Sequence, residues 1–288
     1  MFFQEKDLNI KYRILYYVVF KSDYLASLFL TVYVKVKSIF NNDYDKTFSI
    51  KVISNNNFLV NSKSGNIHIV TPYRALFYQR GLNARLQSLY NSYGFDDYNF
   101  VLKKNSIIID IGANIGEFSI YCARNKHHVF AIEPDVAAYN LLIKNSNNYS
   151  NIKCFNLAIA NFTGSQYIYS STLTASTSII KPNDNNTNRE AISVRGLTLD
   201  DFIEKNNIKR IDFLKVDCEG AEPEMLEGLK KYRNIIKYFS IDCGAERNGK
   251  FTYKEVINSL LKNKNFQLLS KPAYEIKNRV IVQNNNLI

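Results

Sequence analysis

From residue 107 to the C-terminus, short apolar runs alternate with segments whose apolar positions recur every three or four residues. The runs 107–111, 128–132, 152–157, 166–170, 191–195, 211–216, 236–242, 265–270 and 278–283 predict strands. The segments 115–125, 135–146, 198–206, 222–231 and 252–264 predict helices. Such alternation builds an α/β domain with a mainly parallel sheet covered on both faces. The polar stretch 183–188 (NDNNTN) reads as a loop within it. The first hundred residues follow another pattern. Apolar runs at 14–20 and 25–34 are separated by Lys21 and Asp23 and followed by Lys35 and Lys37. Neither reaches the ~18 apolar residues a membrane-spanning helix needs. They predict helices packed on the α/β domain or on a partner chain; helices lying on a membrane surface are the alternative, because basic residues flank both runs. Segment 48–70 predicts strands with turns at Asn55-Asn56-Asn57 and Ser64-Gly65, and 73–90 predicts a helix carrying Arg74, Arg80 and Arg85. The expected division is an extension over 1–98 and an α/β domain over 99–288.

The first predicted strand of that domain, Ile107 to Ile111, runs into Gly112-Ala113-Asn114-Ile115-Gly116 and then a helix. A glycine-spaced turn between strand and helix is a nucleotide-binding signature. The second strand ends in Glu133-Pro134, about 20 residues on, where an acid grips ribose hydroxyls. The turn itself discriminates between cofactors. A dinucleotide needs a second glycine so that backbone amides can approach its pyrophosphate; here that position is Asn114. S-adenosylmethionine has no phosphate, and it carries an ammonium and a sulfonium that Asp110 could face. Gly112 would let the backbone pass close to its methionine end, and Glu133 would accept from the ribose. An NAD-dependent enzyme is disfavoured by Asn114.

A second strand ends in acids at Asp217-Cys218-Glu219-Gly220-Ala221-Glu222. Ligands of open α/β sheets sit beyond the carboxyl ends of strands, where the strand order reverses. If strands 107–111 and 211–216 are central neighbours, Asp110 and Asp217 overlook one crevice. Asp217 could then orient an acceptor hydroxyl and take its proton, with Glu219 beside it. The competing account makes Asp217 and Glu222 helix caps and Glu219-Gly220 a plain turn. A magnesium ion on Asp217, Glu219 and Asp242 is chemically conceivable but unsupported.

Charge and the remaining chemistry narrow the classes. Thirty-seven Lys and Arg against 26 Asp and Glu give a net charge of +11. This suits an anionic partner and equally suits a solvated lysine-rich exterior. Four scattered cysteines form no C-x-x-C pair, and nothing resembles a signal peptide, so a cytoplasmic, reducing compartment is expected. His127 and His128 precede their strand and belong at the edge opposite the crevice, and His68 is expected to be structural. No G-x-S-x-G elbow is present.

Together, Asp110-Ile111-Gly112-Ala113-Asn114-Ile115-Gly116-Glu117, Glu133-Pro134, Thr198-Leu199-Asp200 and Leu214-Lys215-Val216-Asp217-Cys218-Glu219-Gly220-Ala221-Glu222 resemble the FkbM family of S-adenosylmethionine-dependent methyltransferases. The resemblance spans about 107–270. It implies a Rossmann-like seven-stranded methyltransferase sheet and methyl transfer to a hydroxyl of a sugar, a glycan or glycolipid, or a secondary metabolite. By position, Asp110, Gly112, Asn114 and Gly116 would line the methionine end of the cofactor, Glu133 would hold the ribose, and Asn156 to Ala158 would neighbour the adenine. Asp217 and Glu219 fall in the family's second signature. The family often has Glu where Asp242 stands. The hydroxyl-rich segment 170–178 could cover the pocket and bond sugar hydroxyls, or be an ordinary polar loop. A lipid-linked acceptor would suit the apolar, basic N-terminus and would place the protein peripherally at a membrane. A nucleic-acid methyltransferase is the alternative encouraged by charge; no Asp/Asn-Pro-Pro-aromatic motif or Pro-Cys nucleophile supports it. A non-catalytic scaffold of the same fold is the remaining alternative. Nothing in the pattern speaks to oligomeric state.

Overall fold

The structure is a computed structural model that describes residues 22–171, 176–181, 190–270 and 278–288. The apolar run 14–20, the polar loop 183–188 and the middle of the hydroxyl-rich segment lie outside the described residues. The chain divides into two compact units, Met1–Arg85 and Leu86–Ile288.

In the first unit, helix α1 (Asp23–Phe40) extends past the predicted apolar run, since Lys35 and Lys37 are good helix formers. It buries Ala26, Leu30 and Val34. Strands β1 (Ser49–Ser54), β2 (Asn57–Ser62) and β3 (Gly65–Ile69) form an antiparallel meander. Phe58, Val60, Ile67 and Ile69 alternate into its core as a period of two requires. The helix predicted over 73–90 is broken into a 3₁₀ helix (Pro72–Tyr78) and α2 (Leu82–Tyr90). Between them Gly81 has φ = 96°, a left-handed conformation that stops a helix.

In the second unit, β4 (Ile107–Ile111), α3 (Glu117–Arg124), β5 (His128–Ile132), α4 (Val136–Ser146) and β6 (Ile152–Phe155) come first. Then follow β7 (Ala158–Ile159), β8 (Gly164–Ser171), β9 (Ser176–Ser178), β10 (Glu190–Leu197) and α5 (Leu199–Lys205). The chain closes with β11 (Ile211–Val216), α6 (Glu222–Glu227), β12 (Ile236–Asp242), α7 (Tyr253–Leu260), β13 (Phe266–Leu268) and β14 (Arg279–Asn284). Seven of these strands form a sheet in the order β13-β14-β12-β11-β4-β5-β6. Among the seven, β14 alone runs opposite to the other six. The predicted strands 166–170 and 191–195 do not join this sheet. They pair antiparallel as β8 and β10 in a separate sheet ordered β7-β10-β8-β9. Among the described residues no helix lies between them, and parallel neighbours usually need a crossover helix.

Alternation sorts the two faces of the seven-stranded sheet. Ile109, Ile111, Leu214 and Val216 enter an aliphatic core with Phe202 of α5, Met225 of α6 and Val256 of α7. Ile108 and Phe213 point to the other face, into a cluster with Phe118 and Cys122 of α3, Leu142 of α4 and Tyr93. Rings interlock there: Tyr93 meets Phe118 edge-on at 5.2 Å, and Phe95 lies 4.7 Å from Phe213. Such pairs contribute about 0.5–1.5 kcal/mol each beyond area burial. Tyr90, Tyr93 and Phe95, from the segment before Tyr98, belong to this cluster.

Candidate active site

The sheet order reverses between β4 and β11, the crevice expected to hold a ligand. In the parallel register of these strands, Asp110 faces Lys215 directly. Both alternate onto the α3 face, where burial leaves them 0% and 3% exposed, so each needs a partner. They form an ion pair with Nζ 2.9 Å from Oδ1. Ser119 Oγ, on α3, donates to Asp110 Oδ2 at 2.6 Å. Lys215 Nζ also donates to the carbonyls of Ile111 (3.2 Å) and Gly112 (2.7 Å), tying the glycine turn to β11. Burial, the largest single influence, lowers the Lys215 ammonium; Asp110, Tyr93 and Asp217 together outweigh it, and the group is raised. Asp110 is thus engaged inside the protein by Lys215 and Ser119.

Gly112 has φ = 73°, and a Cβ there would lie 1.9 Å from the carbonyl oxygen of Asp217. The backbone it lets pass is that of the second signature. Asp217 N donates to Ile111 O at 3.1 Å, closing the two turns on each other. Asn114 adopts φ = 50°, a left-handed conformation that asparagine tolerates better than most residues. Its backbone N–H donates to Glu133 Oε2 at 2.7 Å, and Asp135 N–H donates to Oε1 at 2.9 Å. Gly116 is the N-cap of α3. Glu133 is 5% exposed, and burial pushes its carboxyl up to about 7 against the pull of those two N–H groups. Asn156 Nδ2 donates to the carbonyls of Glu133 (2.9 Å) and Pro134 (3.0 Å), holding the β6 end against the β5 end. Ala158 is buried in β7, paired with Gly196 of β10. Beyond Asp135, Thr177 Oγ1 of β9 donates to Asp135 Oδ2 at 3.4 Å, the described contact between the hydroxyl-rich segment and this end of the sheet.

Asp217, at the end of β11, accepts a 2.7 Å hydrogen bond on Oδ2 from the Tyr93 hydroxyl. Tyr93 is buried, and burial together with the Asp217 carboxylate holds its phenol well above the usual range, so it stays a donor. The Arg279 guanidinium lies 3.9 Å from the Tyr93 ring centroid, donates to Asp242 Oδ2 at 2.8 Å and reaches the Ser92 carbonyl. Glu219 has φ = 53°, and burial plus the carboxylates of Asp217, Glu246 and Asp242 hold it well above the usual carboxylate range. The helix-cap account fails for Asp217: the N-cap of α6 is Ala221, without a side-chain cap. Glu222 instead accepts from Gly220 N (3.0 Å) and Thr252 Oγ1 (2.9 Å). Arg247 clamps the same turn from outside, bonding Gly220 O at 3.1 Å and Glu224 through both carboxylate oxygens. Among the described residues no three His, Cys, Asp or Glu side chains are arranged to hold a metal ion. Asp242 is paired with Arg279 and Asp217 with Tyr93.

Thr198-Leu199-Asp200 builds structure. Thr198 caps α5, Leu199 enters the core, and Asp200 accepts from the backbone N–H groups of Lys230, Lys231 and Tyr232. Tyr93 and Arg279 had no motif to announce them. Lys215 had a signal: a lysine inside an apolar strand requires an acid at its register position.

This strand order, with one reversed strand and acid-bearing turns at the ends of β4, β5 and β11, is that of a seven-stranded Rossmann-like methyltransferase sheet. Residues 110–268 match the Methyltransferase FkbM domain, and the chain belongs to that family. It is similar to methyltransferase sdnD of Sordaria araneosa, 26% identical over 200 residues that cover 58% of this chain and 76% of the relative. It is also similar to hexuronic acid methyltransferase AglP of Haloferax volcanii, 22% identical over 50% of this chain and 58% of the relative, less than two thirds of that protein's length. A SAM-dependent methyltransferase from Aquifex aeolicus superposes with a TM-score of 0.37 at 16% identity, over 68% of this chain and 87% of that one.

Proposed function

We propose that the protein is an S-adenosylmethionine-dependent O-methyltransferase acting on a sugar hydroxyl of a glycan or glycolipid. The observation that carries the reading is the closure of the Gly112 turn on Asp217, which brings a carboxylate held by Tyr93 beside the nucleoside-binding turn. The residues fit the cofactor. Each Glu133 oxygen accepts one backbone N–H and keeps lone-pair capacity for a ribose hydroxyl. Asn156, with its amide nitrogen turned to two carbonyls, has its own carbonyl side to offer the adenine amino group. Asp110 holds Lys215, which fixes the Ile111 and Gly112 carbonyls at the turn that would receive the cofactor's methionine end. Gly112, Asn114 and Gly116 shape the turn.

When bound, the cofactor supplies an electrophilic methyl group, whose bond to sulfur breaks as its bond to the acceptor oxygen forms. Asp217 orients the acceptor hydroxyl and receives its proton. Tyr93 fixes the Asp217 rotamer, and burial beside Asp217 raises Glu219 and so disfavours a second full negative charge near the acceptor. The sugar class is supported by the relative named for hexuronic acid methylation. Incubation with methyl-labelled cofactor and a panel of hexuronic-acid glycans, neutral glycans and bulk RNA tests the reading. Label is expected on a glycan hydroxyl and lost in Asp217→Asn. Label in RNA alone would replace the reading with a nucleic-acid methyltransferase.

A further inference from the structure

Helix α1 is apolar on two opposite sides. At 100° per residue, Ala26, Leu30 and Val34 form one stripe, which is buried. Leu25, Leu28, Val32, Val36, Ile39 and Phe40 form another within about a third of the helix circumference, some 22 Å long. Their exposures run from 48% to 85%. A continuous exposed stripe of this kind marks an interaction surface.

Charge selects the partner. Residues 1–85 hold 12 Lys and Arg against five Asp and Glu, so this unit carries most of the chain's net charge of +11 in under a third of its length. Lys35 is exposed at the edge of the stripe, and Tyr24, 68% exposed, flanks its beginning. Apolar residues flanked by basic and amphipathic aromatic side chains suit the acyl boundary and the headgroups of a lipid surface. Two copies of so basic a unit repel one another, whereas an anionic leaflet attracts it. No described helix is long and apolar enough to cross a membrane, so contact through α1 would be peripheral.

We infer that the outward stripe of α1 docks on an anionic lipid surface, with Leu28, Val32, Val36 and Ile39 buried at the acyl boundary. The inference stands apart from the acceptor assignment. The test is flotation of the full chain with phosphatidylcholine vesicles with and without phosphatidylglycerol, at rising NaCl, for the wild type and for Val32→Ser/Val36→Ser/Ile39→Ser. Serine removes the apolar contact without adding charge. The wild type is expected to float only with phosphatidylglycerol vesicles, to be released by salt, and to lose binding at least about tenfold in the variant. Titration with S-adenosylhomocysteine, expected unchanged, shows that the variant is folded. The inference is overturned if the wild type does not float, if the variant floats equally, or if light scattering shows the substitution turning a dimer into a monomer. Because the wild-type vesicle and salt comparisons decide by themselves, a variant that misfolds does not rescue the idea.

Discussion

Replacing Lys215 with Met keeps the volume of the side chain and removes its charge. It leaves Asp110, 0% exposed, with Ser119 as its remaining donor, and frees the Ile111 and Gly112 carbonyls. Breaking a buried pair by removing one partner costs about 3–5 kcal/mol, because an uncompensated charge stays inside. For a unit of this size each kcal/mol shifts the melting temperature by roughly 2–4 °C, so a fall of about 6–20 °C is expected. Circular dichroism at 222 nm reads it, and is preferable to fluorescence in a chain with no tryptophan. The decisive comparison is the double variant Asp110→Asn/Lys215→Met, in which neither charge remains. It should melt closer to the wild type than the sum of the single effects, with a coupling of about 2–3 kcal/mol. Additive losses, or a single loss below about 1 kcal/mol, would refute the claim that this pair ties β4 to β11.

Gly112→Ala places a Cβ against the Asp217 carbonyl at a left-handed φ. It should cost about 1–3 kcal/mol and weaken S-adenosylhomocysteine binding at least about tenfold by titration calorimetry; unchanged binding would mean that the turn is not part of the site. Tyr93→Phe removes the donor to Asp217 Oδ2. With a hydrogen bond to a charged group worth about 1.5–3 kcal/mol, kcat should fall roughly 10–100-fold while the dissociation constant of S-adenosylhomocysteine stays within about threefold. Equal effects on both would make Tyr93 structural only. Glu133, raised by burial to about 7, accepts ribose hydroxyls as the carboxylate, so cofactor affinity should fall up to about tenfold per unit as the pH drops below 7. The same raised group works oppositely on the apo fold: its contribution to stability is full below the unfolded value of 4.5 and is lost as the pH rises through about 7. Glu133→Gln should flatten both trends.

Much of the site was legible because it obeys local rules. The Gly112 turn, Glu133 at the end of the second strand and Asp217 at the end of β11 follow from apolar runs that stop at acids and glycines, and a sheet of period two fixes which side chains share a face. Gly81 broke a helix that periodicity alone extended from 73 to 90. Strands β8 and β10 were visible, but their departure into a second, antiparallel sheet is a matter of pairing that the apolar runs do not encode. The charge of Asp110 pointed to a cation, and the structure adds one within the protein, one strand away at Lys215. Tyr93 was not legible at all. It reaches Asp217 across 124 positions, from a segment outside the α/β alternation, and only packing brings the two together.

The central claim is that the turns at the ends of β4 and β5 hold S-adenosylmethionine, and calorimetric titration with S-adenosylhomocysteine tests it most directly. The wild type should bind saturably and in preference to NADH, and Glu133→Ala should abolish binding while keeping the circular dichroism spectrum of the fold. Absent binding, equal binding in Glu133→Ala, or preference for NADH would contradict the account of the site from the glycine turn onward.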